Sequence, residues 1–265
     1  MDKRIDLLEN IYGAGGEADR LTRSRNGQME FITTMTCIDR HAPEPCRVLE
    51  LGAGTGAYSA ALGQRGHAVT AVELMDANVA LLRANTAPYP NVTPVQGDAL
   101  DLSRWADASF DLTLSMGPMY HLYDQGAWDR AIDEAIRVTR PGGVLMFAFL
   151  SVHAILYDNY LQAAPHDMKA GLEENFDGDA RVRHFPEQVF TGFEVTEFEA
   201  LFATKPVTHL RTVAADGVLE LAEDRKDFSM TDEDFRLYAA YHLNHCDVRE
   251  LLGSSAHLLY ICRKL

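Results

Sequence analysis

Basic residues are scarce in this chain, and their scarcity limits what it can bind. Of 265 residues only 24 are Lys or Arg, against 39 Asp or Glu, so the formal net charge is −15. A surface this acidic repels phosphate backbones unless a local basic patch overrides it. The nearest such patch, Arg20, Arg23 and Arg25, is small. We therefore expect no nucleic-acid partner.

The sequence also lacks closely spaced cysteines, a signal-peptide core and long apolar runs. The cysteines are Cys37, Cys46, Cys246 and Cys262. Because none of them forms a close pair and the first residues carry no apolar signal core, we expect reduced thiols in a cytoplasmic protein. The most apolar run, residues 144–150, is far shorter than the ~20 residues that a membrane helix needs. It is typical of a central parallel strand buried on both faces.

A glycine-rich turn follows the first strongly apolar segment. Residues 48–51 read Val-Leu-Glu-Leu and lead directly into a turn that contains Gly52, Gly54 and Gly56. A strand that turns sharply into a helix exposes backbone N–H groups, and side chains there would block a ligand. Glu73 comes twenty-one residues after Gly52, where an acid can accept both hydroxyls of a ribose. This pattern predicts a nucleoside-containing cofactor on a doubly wound α/β sheet.

The glycine turn alone does not decide which nucleoside cofactor binds. Gly52, Gly54 and Ala57 also satisfy the relaxed dinucleotide fingerprint, whose third glycine can be alanine. Two acids argue against NAD. Glu50 stands where dinucleotide folds usually keep an apolar residue, and it can reach an ammonium group, directly or through water. Asp98 follows a third apolar segment and can accept the exocyclic amine of an adenine.

Five motifs in a fixed order extend this pattern over residues 46–150. The glycine turn and Glu73 are followed by a strand predicted at 92–98, a strand predicted at 110–117, and a helix predicted to end at Arg140-Pro141-Gly142-Gly143 before a strand at 144–150. This order resembles the class I S-adenosylmethionine-dependent methyltransferases. A narrower resemblance begins at Gly117, where Gly-Pro-Met-Tyr-His-Leu is similar to the Gly-Pro-Leu-Tyr-His-Leu segment of a bacterial subgroup.

The resemblance implies a seven-stranded, mostly parallel, Rossmann-like sheet with the cofactor across the carboxyl ends of the first four strands. The methionine part would lie on the glycine turn, the ribose on the acid after the second strand and adenine on the motif after the third. The end of the fourth strand would approach the methionine amine and the reactive methyl. The expected cofactor-binding residues are Glu50, Gly52, Ala53, Gly54, Gly56, Glu73, Leu74, Asp98, Ala99, Leu100, Ser115, Met116 and Gly117.

Methyl transfer from a sulfonium needs little chemistry from the protein. The methyl group is already activated, so the protein mainly aligns the reactants and excludes water. If the acceptor starts protonated, His121 is the candidate base, because it follows the strand end nearest the methyl and can titrate near neutral pH. The competing interpretation is a histidine packed against a loop. Tyr120 is the second candidate catalytic residue: it bounds the pocket, donates to the substrate or only fills core. Tyr12 either closes over the cofactor or only ends a helix.

No metal site is expected. Residues 242–247 read His-Leu-Asn-His-Cys-Asp, and two histidines beside a cysteine and an acid can bind a metal. No second ligand pair at a fixed spacing accompanies them. Such side chains at a helix end more often cap the helix or lie at the surface.

We predict a methyltransferase domain over residues 46–265, preceded by an N-terminal helical cap over residues 1–45. The cap would be broken at Gly13-Ala14-Gly15-Gly16. Insertions at about 151–195 and 218–255 would form a lid over the substrate. The second of these would contain a helix capped by Thr231.

The expected function is methyl transfer to an O, N or S atom of a small molecule. One alternative is an RNA or protein methyltransferase, which would need a basic or extended groove. Another is an NAD-dependent oxidoreductase, which Glu50 and Asp98 weaken. A third is a cofactor-binding module without activity that regulates a partner.

Overall fold

A single mixed sheet forms the centre of the molecule. The computed structural model describes residues 3–12, 19–42, 44–162, 165–223 and 225–265. The strands are β1 (Arg47–Leu51), β2 (Ala68–Glu73), β3 (Val92–Gln96), β4 (Phe110–Ser115), β5 (Thr139–Ser151), β6 (Gly192–Phe193), β7 (Val207–Ala214) and β8 (His257–Lys264).

The strand order is β3-β2-β1-β4-β5-β8-β7, and the short β6 pairs with the end of β5. Neighbours among β1 to β5 are parallel, whereas β8 is antiparallel to both β5 and β7. The order reverses at β1, and such a switch point opens a crevice at the carboxyl ends of the strands. The predicted Rossmann-like, mostly parallel sheet is therefore confirmed, with β6 as an eighth strand.

Helices cover both faces of the sheet. They are α1 (Lys3–Tyr12), α2 (Arg20–Arg23), α3 (Arg25–His41), α4 (Ala57–Gln64), α5 (Asp76–Thr86), α6 (Gln125–Val138), α7 (Val152–Leu156), α8 (Met168–Asn175), α9 (Val195–Ala200), α10 (Leu219–Glu223), α11 (Asp232–His245) and α12 (Arg249–Leu252). Short 3-10 turns lie at Pro118–His121 and Pro186–Gln188, and a π-helical turn lies at Tyr157–Gln162. Among the described residues, no helix has the length and apolar character needed to cross a membrane.

The core lies on both sides of the sheet, because side chains alternate along each strand. In β5, Leu145 and Phe147 enter one apolar cluster, while Val144 and Met146 enter the cluster on the opposite face. Both clusters are closed to water. This arrangement confirms that residues 144–150 are buried on both faces.

Several predicted boundaries differ from the structure. The helix before β5 ends at Val138, so the prediction that it reaches Arg140-Pro141-Gly142-Gly143 is wrong. Those residues form an irregularity of β5, in which Gly142 has a φ of +75° and Arg140 bonds Asp111 on β4. The strands predicted to reach residues 98 and 117 end at Gln96 and Ser115.

The N-terminal and late segments are largely helical in the described residues. The predicted break at residues 13–16 lies outside these residues. Thr231 caps α11, as predicted, by accepting a hydrogen bond from Asp234 N at 3.1 Å. The division into a cap, a domain and a lid stays a prediction.

Candidate active site

One cavity lies at the carboxyl edge of β1, β2, β3 and β4. Its sheet wall is made of the loops at residues 50–58, 72–78, 97–99 and 116–118. Its helical wall consists of Arg4, Leu8, Tyr12 and residues 19–22. Tyr120 and His121 close the cavity between the two walls. The loops reach the cavity because parallel strands β1 to β4 all end at this edge.

The glycine turn of the sheet wall requires glycine for different reasons at each position. Gly52, Gly54 and Gly56 have φ values of +71°, +54° and +91°, which side-chain-bearing residues rarely adopt. A Cβ on Gly52 would lie 2.8 Å from Pro118 Cδ, and one on Gly56 would lie 2.6 Å from Leu82 Cδ1. A Cβ on Gly54 would meet no atom within 4 Å. The open space beside Gly54 is therefore part of the cavity.

Glu73 ties the end of β2 to the glycine turn. Its Oε2 accepts a hydrogen bond from Gly54 N at 2.8 Å, and its Oε1 accepts one from Met75 N at 2.9 Å. A carboxylate has about four acceptor positions, so the two backbone bonds leave capacity for ligand hydroxyls. Glu73 thus both orders the loop and lines the cavity.

Glu50 is a fully buried acid with an unsatisfied oxygen. Its Oε2 accepts a hydrogen bond from Ser59 Oγ, whereas its buried Oε1 has no hydrogen-bond partner. Burial raises the pKa of Glu50 to about 8; nearby Glu73 adds to the rise and the Ser59 bond opposes it. A buried carboxylate of this kind is costly unless a donor or cation meets it. Glu50 lines the cavity, so a cationic group bound there would compensate this acid.

Asp98 lies where the sheet wall meets the helical wall. Its Oδ1 accepts a hydrogen bond from Leu100 N at 3.0 Å, and its Oδ2 pairs with Arg4 of α1. The Arg4 guanidinium therefore engages one oxygen of the carboxylate that was predicted to meet an adenine amine. Ala99 lines the same end of the cavity.

Ten of the thirteen residues predicted to bind the cofactor line this cavity. They are Glu50, Gly52, Ala53, Gly54, Glu73, Leu74, Asp98, Ala99, Met116 and Gly117. Gly56, Leu100 and Ser115 do not line it. Gly56 is required by the turn and by packing on Leu82, and Leu100 packs against the main apolar cluster. Ser115 lies within the strand, paired with Leu51 and Phe147.

Tyr120 and His121 both line the cavity. Tyr120 Oη donates to the Met116 carbonyl oxygen at 3.0 Å. His121 is nearly buried, and burial lowers its pKa to about 4, with Arg4 adding to the decrease and the bond to Val189 opposing it. The expectation that His121 titrates near neutral pH is therefore wrong for this structure. Its neutral ring can still accept a proton at pH 7.

Sequence reasoning predicted an N-terminal helical cap and considered Tyr12 at the cofactor, but it missed Arg20. Arg20 faces the cavity and forms a two-bond ion pair with Glu30, at 2.5 and 2.9 Å. Burial would raise the pKa of Glu30, but the charges of Arg20 and His257 outweigh it and lower the pKa to about 2. Glu30 lies only ten positions away from Arg20, but no sequence motif marks the pair. Hydrophobic periodicity predicted the helices but not which of their side chains face the cavity.

Two clusters have the composition of metal ligands. In the one at residues 242–247, where no metal site is expected, His242 bonds the Ala214 carbonyl at 3.0 Å and His245 bonds that of Tyr241 at 2.8 Å, so both are engaged with backbone. The other consists of Asp216, Glu220 and His257, whose ligand atoms lie within 4.8 Å of one another. There His257 Nδ1 bonds Asp216 Oδ2 at 2.7 Å.

Comparisons with known proteins bear on the same region. Residues 48–143 match the model of a methyltransferase domain. The demethylmenaquinone methyltransferase of Beutenbergia cavernae is 30% identical over 71% of this chain and 74% of that enzyme. The demethylmenaquinone methyltransferase of Thermobifida fusca is 35% identical over 56% of this chain. The matched part spans little more than half, 57%, of that relative's length. The solved N-methyltransferase NodS of Bradyrhizobium japonicum, bound to S-adenosyl-L-homocysteine, shares the fold, with a TM-score of 0.59 over 99% of both chains at 16% identity.

Proposed function

Because this chain belongs to the class I S-adenosylmethionine-dependent methyltransferases, we propose that it transfers the methyl group of S-adenosylmethionine to a small molecule. The observation that carries the proposal is Glu50, a buried carboxylate with an unsatisfied oxygen in the cavity wall. S-adenosylmethionine carries two positive groups, an ammonium and a sulfonium. A cavity that buries an uncompensated acid is complementary to such a ligand.

The residues of the sheet wall fit the parts of this cofactor. Glu50 Oε1 would accept a hydrogen bond from the methionine ammonium, and the open space beside Gly54 would admit the methionine chain. Glu73 has free acceptor positions for the ribose hydroxyls. Asp98 would take the adenine amine in exchange for Arg4. When bound, the cofactor supplies an activated methyl group.

The protein's own contribution is alignment, exclusion of water and removal of a proton. Tyr120 and His121 lie between the two walls next to Gly117, where the acceptor would meet the methyl group. His121 is neutral at pH 7 because its pKa is lowered to about 4, so its ring is ready to receive a proton from the acceptor.

The same proposal takes the acceptor to be a small molecule and the protein to act in the cytoplasm without nucleic acid. A net charge of −15 disfavours nucleic acid. The relatives named above carry a small molecule, demethylmenaquinone, in their names. Cysteine spacing and the lack of a membrane-crossing helix among the described residues support the location. The acceptor atom is O, N or S.

Calorimetry tests the cofactor part of the proposal. Purified protein should bind S-adenosylmethionine and S-adenosylhomocysteine, and NAD should not compete. Asp98→Ala should weaken binding of both ligands by about 1–2 kcal/mol, because a hydrogen bond to a charged group is lost. Asp111→Ala, at the opposite edge of the same sheet, is the control and should bind normally. Competition by NAD, or normal binding by Asp98→Ala, would contradict the assignment.

A transfer screen tests the acceptor part. The methyl-labelled cofactor is incubated with fractions of small metabolites, with RNA and with cellular protein. We expect label in the small-molecule fractions only. Label in RNA or protein would show that the acceptor class is wrong, and cofactor binding without any transfer would favour a regulatory module.

A further inference from the structure

Three segments that are distant in the sequence meet at His121, which lines the cavity together with Tyr12. Tyr12 ends α1, His121 ends the 3-10 turn at Pro118–His121, and Val189 follows the turn at Pro186–Gln188. Tyr12 Oη lies 2.9 Å from His121 Nε2, and His121 Nδ1 lies 2.9 Å from the Val189 carbonyl oxygen. A hydrogen-bonded chain therefore runs from the cavity through two side chains to a backbone carbonyl.

This chain fixes which nitrogen of His121 carries the proton. A carbonyl oxygen only accepts hydrogen bonds, so Nδ1 must donate to Val189. In the neutral ring Nε2 is then an acceptor, and Tyr12 Oη donates to it. A phenol oxygen that donates its own proton can also accept one from a ligand hydroxyl.

The backbone is strained at the point where it meets His121. Val189 has a φ of +64° and a ψ of −53°, and Phe190 N donates to the Gln188 carbonyl at 2.7 Å. These values describe the rare γ-turn with positive φ, which a β-branched residue adopts only under strain. The Val189 carbonyl accepts from both His121 Nδ1 and Tyr123 Oη, the latter at 2.7 Å. Strain of this kind concentrates at functional sites.

Building on the proposed function, we infer that Tyr12 and His121 together take the proton of a hydroxyl group on the methyl acceptor, and that Val189 positions His121 to do so. As the acceptor oxygen bonds the methyl carbon, the methyl–sulfur bond breaks and its electron pair stays on sulfur. The acceptor proton moves to Tyr12 Oη, and the Tyr12 proton moves to His121 Nε2. The products are a methylated oxygen, a neutral thioether and an imidazolium. One positive charge has passed from sulfur to His121.

A hydroxyl acceptor suits this pair better than an amine. Burial lowers the pKa of His121 to about 4, so its ring is a weak base. A methylated hydroxyl is a far stronger acid than imidazolium and transfers its proton even to a weak base. A methylated alkylammonium holds its proton more tightly than imidazolium and gains nothing from His121. The loss of the sulfonium charge in the same step also removes its repulsion of the imidazolium.

NMR of protein with nitrogen-labelled histidine tests the chain without any acceptor. The spectra distinguish the two tautomers, and His121→Gln assigns the signal. We expect neutral His121 with the proton on Nδ1 from about pH 6 to 9. Tyr12→Phe should keep this tautomer but shift the Nε2 resonance, and Tyr241→Phe on exposed α11 should change neither. A proton on Nε2, or a Tyr12→Phe spectrum equal to that of the wild type, overturns the inference.

The second arm measures methyl transfer from S-adenosylmethionine to benzyl alcohols and benzylamines with the same ring skeleton. We expect transfer to the hydroxyl. Tyr12→Phe should lower kcat by ~10²-fold or more with an unchanged KM for the cofactor. Val189→Gly, which keeps the carbonyl, should retain most turnover, and Tyr241→Phe should match the wild type.

Each outcome of this arm separates the inference from the proposed function. Transfer to amines only, or a Tyr12→Phe variant with wild-type kcat, overturns the inference while the proposed function stands. A protein that methylates nothing here or in the wider screen overturns both.

Discussion

The two walls of the cavity are held in place by different kinds of contact. The sheet wall is fixed by backbone hydrogen bonds, such as those from Gly52 N to Val72 O and from Met116 N to Leu51 O, both 2.9 Å. The helical wall reaches the site through side-chain pairs such as Arg4 with Asp98 and Tyr12 with His121. The two backbone bonds join neighbouring strands of the sheet, 20 and 65 positions apart in the sequence, whereas the two side-chain pairs join residues 94 and 109 positions apart. The sheet wall should therefore control cofactor affinity, and the helical wall should control turnover.

The largest effect should come from Glu50 in the sheet wall. Its pKa is raised from 4.5 to about 8. In the pH window between these two values, the folded chain holds a proton that the unfolded chain has lost. Stability then falls as the pH rises through the window. In urea denaturation, the free energy of unfolding of Glu50→Gln relative to wild type should increase by about 2–4 kcal/mol from pH 5 to pH 9.

Two controls sharpen this prediction. Glu233→Gln, on the exposed side of α11, should show no such increase. Glu50→Gln should also bind S-adenosylmethionine more weakly, because its neutral amide meets the ammonium without charge. A variant with an unchanged pH dependence of stability would mean that Glu50 is not the buried acid that the structure describes.

The next largest effect should come from Gly54. Gly54→Val places a branched side chain in the open space of the cavity, and overfilling a packed site costs about 1–3 kcal/mol, so cofactor affinity should fall by roughly 5–150-fold. Gly66→Val is the matched control, since Gly66 also has a positive φ, +86°, and its Cβ would meet only ordinary contact at 3.6 Å. Equal cofactor affinities in the two variants would show that position 54 requires glycine because of its positive φ and not because a ligand occupies the space beside it.

The smallest effect should come from Arg4, where the two walls meet. Arg4 pairs with the Asp98 carboxylate that we propose for the adenine amine, and a partly exposed pair is worth about 0.2–1 kcal/mol. Arg4→Ala should therefore raise cofactor affinity by a few-fold in calorimetry. The prediction concerns affinity alone and does not depend on turnover. A marked loss of affinity would break the comparison, because it would show that the helical wall also holds the cofactor.

The difference between backbone pairing in the sheet wall and side-chain pairing in the helical wall explains what the sequence could predict. The glycine turn, Glu73 and the Gly97-Asp98 motif follow strands with strong apolar patterns, so the sheet and most of its wall were predicted. The bond between Tyr12 and His121 depends on packing between distant segments, and the pairing of Arg20 with Glu30 depends on how α2 packs on α3. Periodicity encodes neither contact. The pKa of His121 was misjudged for the same reason, since its burial comes from α1 and the loop at Val189. The helix end at Val138 was missed because Gly142 bends the strand there without ending it.

The position of β8 has a consequence for how the protein is made. β8 follows β7 in the chain but lies between β5 and β7 in the sheet. More than a hundred residues separate the end of β5 from the end of β8, and synthesis of this stretch takes roughly 6–20 s at ~5–20 residues per second. Throughout that interval the nascent chain exposes an unpaired, strongly apolar strand edge, which is a template for pairing with other chains. For several seconds each new chain can therefore aggregate with other nascent chains on the same messenger RNA. A chaperone that covers the exposed edge of β5 during this time should increase the yield of folded protein.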